Sequence, residues 1–268
     1  EKALEYNINN YYKYDLKKWF KAGILDREVK YYENLIKKGN FNITFLTYGD
    51  NNDKNYLPKN SKIKVISIFK KKINNSFLCF FYSIFFIFIN KKRDNFDLFK
   101  TNQNYGSWLA VIAKKLYKKP LVSRSGYDLF HFKLQEKNYL KIFLSYFICL
   151  LVYRSADKIF IPSLFYKKFL IQKYKINESK INILPNYIDI QNFKFNQREN
   201  KKNNKFLFLG RFEKQKNINY LIDLFKINKS YNLDIIGDGS EFNKIKVKSS
   251  PYKNIKIIKK RFLNNEIN

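Results

Sequence analysis

Short apolar runs without alternation constrain this chain more than any other feature. They fall at Asn42–Thr47 ("NITFLT"), 63–68, Phe96–Lys100 ("FDLFK"), 121–124, 158–162, 181–184, 206–209, 233–236 and 255–258. A strand with one face in water alternates apolar and polar residues, whereas one covered on both faces need not. Helical periodicity lies between many of these runs. Leu25, Val29, Tyr32 and Ile36 share one helical face, as do Trp108, Ile112 and Leu116. Ile218, Leu221, Ile222 and Phe225 follow i, i+3, i+4, i+7 spacing, with Asn217 placed to cap them. Strands alternating with helices predict an α/β fold with a doubly wound parallel sheet.

The stretch "QNFKFNQRENKKNNK" (191–205) interrupts the pattern. It is polar, rich in lysine and asparagine, and has no apolar period, as a linker would. The reading is a first domain over 1–192, a linker over 193–204 and a second domain over 205–268. The second has only strand, helix, strand, short helix, strand, about half of a doubly wound domain. It is expected to be incomplete, and the opening Glu1 in place of Met fits a fragment.

The formal net charge is +31. That points first to a polyanion: nucleic acid, an acidic membrane or a phosphorylated ligand. The kind of charge narrows the choice. Arginine occurs only at Arg27, Arg93, Arg124, Arg154, Arg198, Arg211 and Arg261; the other cations are lysine. Nucleic-acid readers favour the arginine fork, and no nucleic-acid motif is present, so that partner is not expected. Most lysines read as solvated surface, which makes each remaining arginine stand out. Cys79 and Cys149 sit in apolar runs and read as buried free thiols. The single His131 excludes a multi-histidine metal site, and no signal peptide is visible.

Two aromatic segments, "FLCFFYSIFFIFI" (77–89) and "YLKIFLSYFICLLVY" (139–153), are shorter than the roughly 20 residues of a membrane span. Half-buried helices are the first reading. Helices lying in a membrane interface, helped by nearby lysines, are the second.

In open α/β sheets ligands bind beyond the carboxyl ends of the strands. Gly210, Arg211 and Lys216 follow one such end, in "FLFLGRFEKQKN" (206–217). Glycine lets the backbone turn, arginine offers a fork for phosphate oxygens, and lysine a mobile point charge. Arg211 paired with Glu213 in a local ion pair is the competing reading. "LDIIGDGSEFNKI" (233–245) repeats the design with Gly237 and Gly239. Near the amino terminus, Gly23, Arg27 and Glu28 stand where a loop enters a helix whose N–H groups can face a ligand. Arg27 with Glu28 as a plain surface pair is equally open. Arg124, Tyr127 and Asp128 lie just past another strand end.

The order of the blocks carries a resemblance. "ADKIFIPS" (156–163), "KINILPNYIDIQNF" (180–193), "FLFLGRFEKQKN" and "LDIIGDGS" (233–240) are similar to the family patterns ADxVIxxS, KIxVIPNGVDxxxF, xxVGRLxxxKN and xIxGDGP. These belong to the retaining GT-B glycosyltransferases of glycosyltransferase family four. Leu16–Gly49 and Thr101–Leu129 look, more weakly, like the opening and middle of a subset of that family, so the likeness spans nearly the whole chain. The chain departs from the pattern at Tyr187 and Lys259, where the family has glycine. Many relatives carry a histidine in the loop holding Arg124; here His131 comes seven residues later.

The resemblance implies two Rossmann-like domains and transfer of a sugar from a nucleotide-diphosphate sugar to a glycan or lipid-linked acceptor. The pathway would be surface polysaccharide or glycolipid synthesis in the cell envelope. Arg211 and Lys216 would be the catalytic cations, holding the diphosphate together with Gly210, Gly237 and Gly239. Gly23, Arg27, Glu28, Arg124, Tyr127 and Asp128 would face the acceptor, and Asn186 and Asp189 would shape the hinge. No cofactor and no metal are implied. The expected location is cytoplasmic, with peripheral contact to the inner face of an anionic membrane. The family's pair of glutamates that binds the donor would lie beyond "NIKIIKKRFLNNEI" (254–267), so this chain is expected to lack half of its donor site and to be inactive alone. The alternative is an inactive fragment or degenerate relative acting only as a membrane- or acceptor-binding module.

Overall fold

The computed structural model describes residues 4–9, 15–21, 24–39, 41–71, 73, 75–90, 96–104, 106–134, 138–186 and 204–260. The chain divides into two compact units, 1–188 and 189–268. Most of the expected linker, with Tyr187 and Asp189, lies outside the described residues, as does Gly23.

The first unit is built on seven parallel strands: β1 (Leu4–Asn9), β2 (Asn42–Thr47), β3 (Lys64–Ser67), β4 (Leu98–Thr101), β5 (Leu121–Arg124), β6 (Lys158–Ile161) and β7 (Ile181–Ile183). Their order is β3-β2-β1-β4-β5-β6-β7. The helices are α1 (Leu16–Lys21), α2 (Leu25–Lys38), α3 (Ser76–Asn90), α4 (Trp108–Tyr117), α5 (Leu129–Lys133), α6 (Tyr139–Ser155) and α7 (Leu164–Tyr174). From β1 the chain steps one way to β3, then crosses back to β4 and continues the other way. Right-handed crossovers therefore put α1 and α2 on one face, and α3, α4, α6 and α7 on the other. The cores follow that division. Trp19, Leu25, Val29 and Tyr32 pack with Ile43 and Phe45, while Cys79, Leu109, Cys149 and Leu170 belong to a separate cluster with Phe99 and Ile159.

The interior strand β1 is the one described strand that the apolar runs did not mark. "LEYNIN" alternates apolar and polar residues, which is the signature of a half-covered strand, yet it pairs with β2 on one side and β4 on the other. Between β1 and β4 the order reverses, and that switch point is where α/β sheets bind ligands.

The second unit has β8 (Lys205–Leu209), α8 (Ile218–Ile227), β9 (Asn232–Gly237), α9 (Phe242–Ser249) and β10 (Ile255–Lys259). The three strands are parallel in the order β10-β9-β8. Ile218 and Ile222 of α8 and Ile245 of α9 bury Leu233 and Ile235. The apolar runs predicted cover on both faces. Among the described residues β8 is an edge strand, and Leu207, paired with Asp234, is 64% exposed on the opposite face. Among the described residues both helices contribute to one core, so the other face has no helix to cover it. Asn217 does precede α8, but in a left-handed conformation (φ 46°) and with no capping side-chain hydrogen bond. Its role is to turn the chain rather than to cap.

Candidate functional site

Two strand ends of the second unit form one compact structure. β8 ends in Gly210-Arg211-Phe212, and β9 ends in Gly237-Asp238-Gly239. The Gly210 N–H donates to the Ile236 carbonyl at 3.1 Å, and the Phe212 N–H to the Asp238 carbonyl at 3.0 Å. The Phe212 carbonyl accepts from the Glu241 N–H at 2.9 Å, at the entry to α9. Phe212 is fully buried, so its backbone and ring both fix the loop.

The glycines owe their identity to this contact. A Cβ on Gly237 would stand 1.9 Å from the Gly210 carbonyl oxygen, and one on Gly239 would stand 2.5 Å from the Phe212 carbonyl oxygen. Both obstacles are backbone, which cannot swing aside. A Cβ on Gly210 would meet only the Phe208 ring, at 3.4 Å. Close approach thus demands glycine at Gly237 and Gly239 for packing alone. Gly237→Ala should cost the second unit about 1–3 kcal/mol, the range of a forced overpacking, and urea unfolding checks it.

That rigid loop presents Arg211 to solvent. Arg211 and Lys216 are both exposed and join no ion pair among the described residues. The competing partner of Arg211 is otherwise engaged: the Glu213 carboxylate accepts from the Ser240 hydroxyl at 2.8 Å. Lys216 closes a short 3-10 turn, Lys214–Lys216, whose last N–H donates to the Glu213 carbonyl at 2.8 Å. The result is two uncommitted cations on a tethered loop at the carboxyl end of a parallel sheet, which suits an anionic ligand.

In the first unit a second polar group collects at the switch-point end of the sheet. Glu28 stands one turn inside α2, and Arg124 is the last residue of β5. Arg124 Nη1 lies 3.4 Å from Glu28 Oε2, and Arg27 Nη2 lies 3.0 Å from Glu28 Oε1. The Glu28 side chain is 5% exposed and that of Arg124 11%, so this is a buried pair; Arg27, at 36%, reaches solvent. One turn along α2, the Tyr32 hydroxyl donates to Asn102 Oδ1 at 3.1 Å. Lys100, the buried cation of β4, donates to Asn102 Oδ1 at 2.9 Å and also bonds Tyr32. The sequence reading missed Tyr32, Lys100 and Asn102 as members of this group. The available signal was a lysine closing the apolar run "FDLFK".

Asp128 is turned to structural use. Its side chain accepts from the His131 N–H at 2.7 Å as the cap of α5, and from the Tyr174 hydroxyl at 3.0 Å. Burial raises its pKa above the usual carboxylate value. Around it lie Tyr153 and Cys149, both joined to Asn104. Burial pushes the Cys149 thiol up to about 12, so it is a poor nucleophile, and Cys149 and Cys79 are both free and buried. Tyr127 is half-buried, its ring 5.4 Å from that of Phe132. The His131 ring packs among Phe165, Tyr166 and Phe169 of α7. Asn186 is exposed beside Gly126 in the β5 loop. Among the described residues no three His, Cys, Asp or Glu side chains are grouped to hold a metal ion.

The family model described as Glycosyltransferase Family 4 matches residues 32–192, more than half of the chain. The chain belongs to glycosyltransferase family 4. A second model, Glycosyl transferases group 1, matches residues 189–264 of this family 4 glycosyltransferase. No curated protein matches it. Its fold is similar to that of a lipopolysaccharide outer core galactosyltransferase, WaaB, with 20% identity over 96% of this chain and 68% of the other, at a TM-score of 0.63. Anabaena HepE in complex with UDP and glucose is 14% identical over 97% of this chain and 70% of the other, at a TM-score of 0.63. Sucrose-phosphate synthase from Thermosynechococcus elongatus is 11% identical over 97% and 71%, at a TM-score of 0.71. At such identities the likeness speaks for the fold, which is α/β of the GT-B type.

Proposed function

We propose that this family 4 glycosyltransferase transfers a sugar from a nucleotide-diphosphate sugar to a glycan or lipid-linked acceptor in the synthesis of a surface polysaccharide or glycolipid. The observation that carries the reading is Arg211: exposed, in no ion pair among the described residues, and held at a strand end by a loop that the Gly237 contact fixes. As the sugar–phosphate bond breaks, negative charge builds on the leaving diphosphate. Arg211 would accept that charge through its fork and Lys216 through its ammonium group, at no cost in reorganisation because the loop is already in place. Gly210, Gly237 and Gly239 would let the backbone come close to the same phosphates. The chain's own cations would serve here in place of a metal ion. Attack from the face the diphosphate leaves would give retention of the anomeric configuration, with no carboxylate nucleophile.

On the acceptor side the reading keeps Gly23, Arg27, Glu28, Arg124 and Tyr127. It adds Lys100, whose buried ammonium stands at the switch point. Asp128 would act indirectly, by holding the loop that carries Tyr127. HepE, which binds UDP and glucose, and WaaB, a galactosyltransferase of the lipopolysaccharide outer core, lend support by analogy of fold.

The test is to incubate the protein with uridine-, guanosine- and adenosine-diphosphate sugars and follow nucleoside diphosphate release. Release from one donor class, with a retained anomeric centre in the product by NMR, is the expected result. No turnover of any donor, with or without bacterial lipid extract as acceptor, would remove the proposal.

A further inference from the structure

The helix layer over α3–α7 exposes an apolar surface that the fold does not need. α3 buries Cys79, Ser83 and Ile87, yet Phe77, Phe81, Phe85 and Phe88 on its outer side are each more than half exposed. α6 repeats the arrangement: it buries Cys149 and Val152 and leaves Tyr139, Leu140 and Phe143 outward at 58% exposure or more, with Phe147 at 49%. Outward residues at i, i+4, i+8 form one stripe along each helix. A helix apolar all round belongs in a core or against lipid, and here the described residues cover only one side of it. Contiguous exposed patches of this kind mark interaction surfaces.

Charge selects the occupant. Helices α3 to α7 contain no Asp or Glu; Lys114 and Lys167 pair with Asp157 and Glu178 just outside them, and the helices also carry Lys115, Lys133, Lys141, Arg154, Lys168 and Lys173. The opposite layer differs, for α2 bears Asp26, Glu28 and Glu33. A second copy of this chain would bring another +31 against the first, which opposes pairing through this layer. An anionic bilayer offers apolar chains below and negative headgroups above, matching both parts of the surface. Neither helix crosses it: among the described residues no helix is long and apolar enough to span a membrane.

We infer that the α3 and α6 stripes lie in the interface of an anionic membrane, their aromatic side chains among the acyl chains and the lysines of the same layer at the headgroups. This docking does not rest on the donor-site reading, and a protein without transferase activity would dock equally.

The experiment is flotation of the full chain with vesicles of phosphatidylcholine alone, or with phosphatidylglycerol replacing about a third of it. Binding to the anionic vesicles should be at least about tenfold stronger and should weaken with salt, as lysine–headgroup attraction requires. Phe81→Ser, Phe85→Ser, Phe143→Ser and Phe147→Ser together should lower it at least about tenfold, since each removes apolar area that would enter the bilayer. Ile227→Ser, at an exposed site of the second unit, should leave it unchanged. Far-UV circular dichroism checks that the fourfold variant is folded. Should it not fold, Phe85→Trp and Phe147→Trp in the otherwise intact chain report the same contact, through quenching by brominated acyl chains beyond that of wild type. Three results would overturn the inference: no binding to anionic vesicles, undiminished binding by a folded fourfold variant, or a wild-type dimer that the fourfold variant turns into a monomer.

Discussion

Arg211→Ala should lower nucleotide-sugar turnover about 10²–10³-fold, the usual loss when one preorganised charge-stabilising donor is removed. The unfolding free energy should stay within about 0.5 kcal/mol of wild type, because an exposed side chain away from packing features contributes little. The two results together make the prediction sharp. Arg211 is exposed and in no ion pair among the described residues, so its loss leaves no described carboxylate unpaired. The loop itself rests on Phe212, Gly237 and Gly239, none of which changes. Arg211→Lys should recover part of the rate, since a point charge replaces the fork without its geometry. Steady-state kinetics beside urea unfolding decide the matter. Unchanged turnover would remove Arg211 from catalysis, and a large fall in stability would assign it a structural role.

Glu28→Gln should have the opposite profile, a loss of about 3–5 kcal/mol in stability, the cost of breaking a buried ion pair by removing one partner. Glu28 answers two guanidinium groups, and the Arg124 side chain is 89% covered. Without the carboxylate the Arg124 charge stays buried against a neutral amide. Replacing both Glu28 and Arg124 by methionine should be far less damaging than Glu28→Gln, because no buried charge is then left alone. Chemical unfolding of the two variants beside wild type forms the test. If Glu28→Gln unfolds like wild type but loses affinity for acceptor, Glu28 serves the ligand and not the fold.

These two residues also show how much was legible in advance. Arg211 could be singled out because arginine is rare here and because glycine precedes it at the end of an apolar run. Both facts are local, and so was the choice it faced, an anion or Glu213. Ser240 settled the fate of Glu213 from 27 positions away, through a hydrogen bond no spacing rule describes. Glu28 and Arg124 were noticed separately as helix-start and strand-end residues. Their pairing across 96 positions depends on α2 beginning at the edge of the sheet where β5 ends. Asp128 looked like a ligand residue because it follows a strand. It became a cap because α5 begins at the next residue and Tyr174 arrives from the end of α7.

The sequence by itself determined the α/β class, the parallel strands and nine of the ten described strands to within about two residues at either end, because the length and apolar period of a run are local properties. It also determined the family, because four short blocks keep their order. Tertiary structure alone decided that the polar "LEYNIN" sits inside the first sheet, between β2 and β4, because a strand's place depends on its neighbours. It alone decided that Gly237 and Gly239 answer to the backbone of a different strand end. And it alone decided that two aromatic helices bury only one side each, since periodicity can show that a helix is apolar all round but not how much protein will be there to cover it.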